Sequence, residues 1–169
     1  MILRALTESD RAEAIQAHNE LAQENFDFLL NSLGAYDENE DWSVYLLQLE
    51  SVRRGENVPE GWVPATFLVA EIQGRIVGRV SIRHELNDYL EKRGGHVGYG
   101  VRPEFRGRGY ATLILAESLT ILREMGVKKV LVTCDDSNVA SVKVIEKCGG
   151  SLENIVETES GERVRRYWL

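Results

Sequence analysis

From His96 to Cys134 the sequence changes its hydrophobic period twice, and that succession constrains the fold more than any other feature of the chain. His96-Val97-Gly98-Tyr99-Gly100-Val101 reads as a strand, and Pro103, which cannot donate to a ladder, ends it near Arg102. Ala111, Ile114, Leu115, Ser118, Leu119, Leu122 and Met125 then recur at helical spacing and are closed by Gly126. Val127 to Cys134 is a β-branched apolar run suited to a strand buried on both faces. Strand, helix and strand in that order imply a right-handed parallel crossover.

The rest of the chain supplies elements to pack around that unit. Met1 to Thr7 reads as a short strand, and Thr7 or Ser9 can cap a helix running to Glu24. Between Phe26 and Asp41 an apolar stretch turns acidic at Gly34, which reads as a connection with an acidic rim. Trp42, Tyr45, Leu46, Leu49 and Val52 make an amphipathic helix with Gly55 at its end. Beyond Pro59, Gly61 and Pro64, the segments Thr66 to Glu71 and Ile76 to Arg83 flank the turn Gln73-Gly74-Arg75 as an antiparallel hairpin. A polar loop, His84 to Gly95, leads to the strand at His96. Asn138 can cap a helix to Lys147, stopped by Gly149-Gly150, and Ser151 to Thr158 with Arg163 to Leu169 form a closing hairpin. Neither a repeat nor a linker interrupts residues 1–169, so the expectation is one domain, α/β (α+β) in class.

Composition narrows the partners. A chain of 169 residues hides about 70% of its extended surface on folding, enough for a core without metal or disulfide staples. Cys134 and Cys148 form no CxxC pair and read as reduced thiols, hence a cytoplasmic protein. Acidic residues begin at Glu8, before a signal-peptide core can develop, and no apolar run is long enough for a membrane span. With 20 basic against 27 acidic residues the net charge is -7, which opposes a nucleic-acid backbone and suits a cationic or small neutral partner.

Arg106-Gly107-Arg108-Gly109-Tyr110-Ala111 lies between the strand and the first turn of the helix, where backbone N–H groups lack intrahelical partners and the helix dipole is positive. Glycines let a diphosphate approach the main chain and two arginines add forked charge, so the segment suits a phosphorylated ligand; a solvated basic turn is the plainer alternative. A P-loop is excluded because no Gly-Lys-Ser or Gly-Lys-Thr occurs. A dinucleotide fingerprint competes: Gly107-x-Gly109-x-x-Thr112 opens a helix, and Asp135 ends the next strand where a ribose-binding acid would stand. Against it, Thr112 replaces the third glycine, Pro103 to Arg106 separate strand from glycine, and little chain remains after Asp135 for a second nucleotide-binding half.

The sequence resembles the GNAT superfamily of acyl-coenzyme A N-acyltransferases, whose motif is Arg or Gln, two residues, Gly, one residue, then Gly or Ala; here it is Arg106-x-x-Gly109-x-Ala111. The resemblance extends through Val101-x-Pro103, the strand from Val127 to Cys134, and Asn138-x-x-Ser141 opening a helix that ends Glu146-Lys147-Cys148-Gly149. It implies a mixed, mostly antiparallel sheet of six to seven strands flanked by about four helices. A parallel pair would splay between Val101 and Val132 to admit acetyl-CoA. It also implies that main-chain groups near Tyr99 and Val101 hold the pantetheine arm, that N–H groups of Arg106, Gly107, Arg108, Gly109, Tyr110 and Ala111 hold the diphosphate, and that Asn138 and Ser141 face the thioester. Asn138 as a helix cap, and Gly98 and Gly100 as packing clearances, are the structural alternatives.

Acylating an amine requires a proton to leave nitrogen, since an alkyl ammonium has a pKa of about 10.4. In the branch resembling ribosomal-protein and amino-sugar acetyltransferases the position of His96 often holds a catalytic or substrate-binding glutamate, so His96 is either the base or a histidine satisfied within the sheet. His84, Glu85 and Asp88 are alternates, and His18 has no motif support. A metal reading of His84, Asp88 and His96 matches no zinc spacing. The family's usual proton donor to the thiolate, a tyrosine on the last helix, aligns with Ile145, which leaves Tyr99, Tyr110 or water; Gly150 also replaces a common aromatic. Asp37, Glu38, Glu40, Asp41, Glu85 and Asp88 form either an acidic mouth for an amine or a solvated rim. The expected activity is acetyl transfer to a primary amine of a small molecule or peptide by direct attack in a ternary complex. An NAD(P)-binding oxidoreductase and a non-catalytic acyl-CoA sensor are the alternatives, and the edge of the closing hairpin suits a homodimer.

Overall fold

In the computed structural model the described residues are 1–31, 34–35 and 40–169, so Asp37 and Glu38 of the expected acidic mouth lie outside them. In chain order the elements are β1 (Ile2–Arg4), α1 (Arg11–Ala22), β2 (Leu30–Asn31), β3 (Gly34–Ala35), α2 (Trp42–Arg53), β4 (Ala65–Ile72), β5 (Arg75–Arg83), α3 (Asp88–Lys92), β6 (Val97–Val101), α4 (Tyr110–Glu124), β7 (Leu131–Asp135), α5 (Val139–Lys147), β8 (Ser151–Glu157) and β9 (Arg163–Trp168). Local chemistry sets several boundaries. The Asp10 carboxylate accepts from the Thr7 N–H and hydroxyl, both at 2.7 Å, and so closes the turn that leads into α1. Asp41 caps α2 by accepting from Ser43 N–H at 2.8 Å, and Asn138 caps α5 by accepting from Ser141 N–H at 3.0 Å.

Strands β1-β4-β5-β6 form one antiparallel sheet and β7-β9-β8 another, with β2 and β3 a separate pair. The seven main strands are therefore mostly antiparallel as expected, and they divide at the pair the family resemblance makes splay. There the His96 N–H donates to Leu131 O at 2.8 Å and the Leu131 N–H donates to His96 Nδ1 at 3.0 Å, after which no ladder joins β6 to β7.

Strand β5 is the spine of the larger sheet, buried from Ile76 through Ile82. On one face Val80 and Ile82 join Val97, Val101 and the Ile114, Leu115 and Leu119 stripe of α4. A second core gathers Phe67, Val69 and Ile76 with Ala14, Ala17 and Leu21 of α1 and Trp42 and Tyr45 of α2. Two details depart from the sequence pattern. The polar stretch from His84 to Gly95 contains α3, because Asn87 accepts from Leu90 N–H at 2.9 Å and Leu90 is buried. Strand β7 starts at Leu131 rather than Val127: Val127 N–H closes the end of α4 on Leu122 O, and Val130 bonds Leu169 in both directions before the ladder begins.

Arg102, completely buried just past β6, fastens the sheet to α1. Its guanidinium donates to Glu20 at 2.7 and 2.8 Å, to Glu13 at 3.1 Å and to Ile76 O at 2.9 Å. Arg102→Leu should cost about 3 kcal/mol, the lower end for a broken buried pair because both glutamates reach solvent. Urea unfolding of the variant measures the loss; an unchanged midpoint would show that the tie contributes nothing net.

Candidate functional site

The segment after β6 is shaped by a single turn of 3-10 helix, Pro103–Phe105, and by two glycines in the left-handed region, Gly107 at φ 74° and Gly109 at φ 82°. No backbone acceptor among the described residues meets the N–H groups of Gly107 through Thr112, and the first helical bond of α4 is Leu113 N–H to Gly109 O at 3.2 Å. Six consecutive donors thus stand at the positive end of a 15-residue helix, an arrangement whose charge and geometry suit an anion. Arginine contributes differently from its motif reading. Arg106 Nε donates to Val101 O at 3.0 Å and its two amino groups pair with Glu24 at 2.7 and 3.0 Å, so its charge is met from the turn that follows α1. Arg108 donates to Glu104 O at 3.1 Å and lies over the Phe105 ring.

Strand β6 presents two different faces next to this loop. Tyr99 packs toward the α4 core with Val97 and Val101. Its hydroxyl is buried and makes no hydrogen bond of normal length among the described residues. Burial pushes the phenol up to about 12, against a smaller opposite pull from the Ser141 hydroxyl, so it stays protonated at neutral pH. The Cys134 thiol is likewise pushed up by burial, to about 11. The opposite face is opened by glycine. A Cβ on Gly100 would stand 2.5 Å from the Phe26 ring, and one on Gly98 would stand 3.1 Å from the Arg83 guanidinium. Arg79 stacks on the same Phe26 ring at 4.4 Å. Arg79 and Arg83 went unnoticed in the sequence; their signal is the alternation Arg79, Ser81, Arg83, which puts three polar residues on one face of an otherwise apolar strand.

All three histidines are engaged. His18 Nδ1 accepts from Leu29 N–H at 3.1 Å, His84 Nε2 meets the Thr66 hydroxyl at 2.8 Å, and His96 Nδ1 accepts from Leu131 N–H. Burial lowers the pKa of His96 and of His84. A neutral imidazole has one lone pair, and that of His96 is spent on the strand junction. Asn138 does cap α5, and Ser141 is half-buried one turn further on. Ile145, where the family places a tyrosine, is fully buried in the α4 core, and a Cβ on Gly150 would strike its Cγ2 at 2.6 Å. Of the acidic mouth, Glu40 accepts from Gln48 at 2.7 Å, Asp41 is the α2 cap, Glu85 is exposed, and Asp88 lies at the start of α3.

The dinucleotide reading is overturned by the topology. It requires a parallel ladder across the strand-helix-strand unit, yet β6 and β7 share none, both larger sheets are antiparallel, and Asp135 pairs with Arg93 at 3.3 Å. Comparison with known proteins agrees. The family model described as an acetyltransferase (GNAT) domain matches residues 1–151. An acetyltransferase of Photorhabdus laumondii is 36% identical over 84 residues, which are 50% of this chain and 55% of that protein, so the match spans about half the length of the relative. Among solved structures, a spermidine N-acetyltransferase from Vibrio cholerae superposes with a TM-score of 0.66 at 20% identity, over 100% of this chain and 94% of that one. The microcin C7 self-immunity acetyltransferase MccE, solved with acetyl-CoA and AMP, gives a TM-score of 0.66 at 18% identity, over 99% and 90%. At these identities the likeness is one of fold.

The junction histidine carries a stability signature. His96→Ala should lose about 1–3 kcal/mol, because it leaves the buried Leu131 N–H without an acceptor. Since the folded His96 and His84 have pKa values below the unfolded value of about 6.5, the unfolded chain binds more protons and stability falls as pH drops through that value. Melting curves from about pH 8 to pH 5 should fall less steeply for His96→Ala, His84 supplying the remainder; parallel curves would show that His96 does not titrate with unfolding.

Proposed function

Because the chain belongs to the GNAT acetyltransferase family, we propose that it moves the acetyl group of acetyl-CoA to a primary amine on a small molecule or peptide, by direct attack in a ternary complex. The observation that carries this reading is the run of unpartnered N–H groups from Gly107 to Thr112 beside an open strand edge. Those donors would take the diphosphate, with Arg106 fixing the loop and Arg108 adding charge at its rim. The pantetheine arm would run along β6, past Val101 and Tyr99, to a thioester faced by Ser141 and Asn138.

In the reaction the amine nitrogen attacks the thioester carbonyl carbon, an N–C bond forms and the C–S bond breaks. The nitrogen gives up one proton and the departing sulfur takes one. Tyr99 suits the second role: its hydroxyl is protonated, unpaired and on the strand that would carry the arm, and water would restore its proton. His96 suits neither role, so the nitrogen proton passes to water and the amine reacts from its neutral form. A homodimer would form across β8, the free edge of the smaller sheet, where Leu152 and Ile155 are exposed.

Calorimetric titration with acetyl-CoA, with NADP as control, should show binding of the first alone, and Gly109→Val should weaken it at least about tenfold because a β-branched residue is strained at that φ. Equal affinity in the variant would sink the loop assignment. Tyr99→Phe should lower kcat about a hundredfold while leaving acetyl-CoA affinity unchanged. Thiol release should rise with pH without an inflection near about 6.5, and His96→Gln, which keeps an acceptor for Leu131, should share that profile. An ionisation lost in His96→Gln would restore His96 as the base.

A further inference from the structure

Strand β5 carries two arginines that form no ion pair among the described residues. Arg79 is 4% exposed; it donates to Gly98 O at 3.0 Å and to Asp27 O, and its Nε has no partner. Among the described residues Arg83 donates to Gly94 O at 3.0 Å and Gly95 O at 3.3 Å. Neither is within ion-pair distance of a carboxylate among the described residues, whereas the fully buried Arg102 is met by Glu20 and Glu13. Desolvation lowers the pKa of both, to about 9 for Arg79, where the charge of Arg83 adds to the effect. A guanidinium held out of water with carbonyls alone is costly, and its planar fork matches a carboxylate.

Their position gives that cost a use. Arg79 and Arg83 flank Ser81 on one face of β5, each about 7 Å from it along the strand and about 13 Å from one another. Ser81 lines an apolar cleft with Leu30, Tyr45, Leu49, Trp62 and Phe67, between α2 and the sheet. Arg83 also lies against Gly98, on the strand along which the proposed acetyl-CoA arm ends. An apolar cleft and an unneutralised pair of guanidiniums therefore border the same stretch of β5 and β6.

We propose that the acceptor is an amine bearing both a carboxylate and an apolar group, the carboxylate taken by Arg83 with Arg79 behind it and the apolar group by the cleft around Ser81. The proposal rests on the acetyl-transfer reading above and sharpens its acceptor class. It also sets the chain apart from a polyamine enzyme, because a polycation would bring more positive charge beside two that already lack a partner.

The test is acetyl-CoA-dependent thiol release with leucine, methionine, phenylalanine and tryptophan, with the amide of each, and with spermidine. At least one free acid should be consumed with kcat/KM ten times or more that of its amide and of spermidine. Arg83→Gln should lower kcat/KM for that acid at least tenfold, mainly through KM, and change the amide less than twofold. Arg83→Lys should recover part of the loss. Preference for an amide or for spermidine would overturn the proposal, as would an equal loss for acid and amide in Arg83→Gln, or no free acid consumed by a protein that binds acetyl-CoA. Failure to bind acetyl-CoA in calorimetry would instead overturn the acetyl-transfer reading itself. If circular dichroism shows Arg83→Gln unfolded, the acid-to-amide ratio of the unaltered protein decides alone.

Discussion

The two hydrogen bonds between His96 and Leu131 are the constraint on which the rest depends. One is an ordinary main-chain bond, but in the other a ring nitrogen stands where a ladder would put a carbonyl. A side chain cannot continue a ladder, so β6 and β7 are held together at their first residues and released from one another after that. Strand β6 keeps its partner β5 on one edge, in register from Gly78 opposite Val101 to Ile82 opposite Val97. Its other edge has main-chain donors and acceptors with no strand to meet them. Backbone groups must be satisfied somewhere, and an extended ligand carrying amides is the partner such an edge accepts.

Helix α1 fixes the other end of that cleft. Glu13 and Glu20, seven apart, share one face of the helix, and Glu24 follows in the turn just past its end. The two on the helix hold Arg102 at the end of β6, and Glu24 holds Arg106 in the loop before α4. The loop's main chain is thereby pinned at both the strand and the helix. Its glycines then turn N–H groups outward that a rigid frame already supports. The motif arginine acts on geometry more than on charge, since its fork is filled by Glu24 and Val101 O.

What could be read in advance follows from how local each signal is. The period changes from His96 to Cys134, the two hairpins and the Asn138 cap depend on neighbours in sequence, and the structure keeps them with small shifts in boundary. The start of β7 was misplaced by four residues because Val127 serves the end of α4 and Val130 pairs with the C-terminal Leu169, a partner that only the closed sheet supplies. Helix α3 was missed because five residues with one buried leucine carry too little periodicity to register. The site divides the same way. The strand-to-helix turn at Arg106 to Ala111 was legible because its shape lies in its own backbone, in two glycines that precede a helix. For His96 the sequence left two readings open, a base or a histidine satisfied within the sheet, and the bond from Leu131, thirty-five positions away, corresponds to the second. Arg79 and Arg83 were not legible, because an arginine in a hairpin reads as solvent-facing until the topology makes that hairpin strand the buried spine.

The buried arginines and the absence of a histidine base bear on one another. On the proposed reading, with His96 committed to the junction, an acceptor would lose its proton to water, and any field that disfavours the ammonium form would assist that step. Two guanidiniums with no carboxylate at ion-pair distance among the described residues would supply such a field along β5 and β6. A neutral amine or a polyamine would meet the whole of that charge. On the reading proposed here the acceptor's own carboxylate neutralises part of it, and what remains acts on the nitrogen a few bonds away. Recognition and deprotonation would then draw on the same two side chains, and a residue dedicated to removing the proton becomes unnecessary.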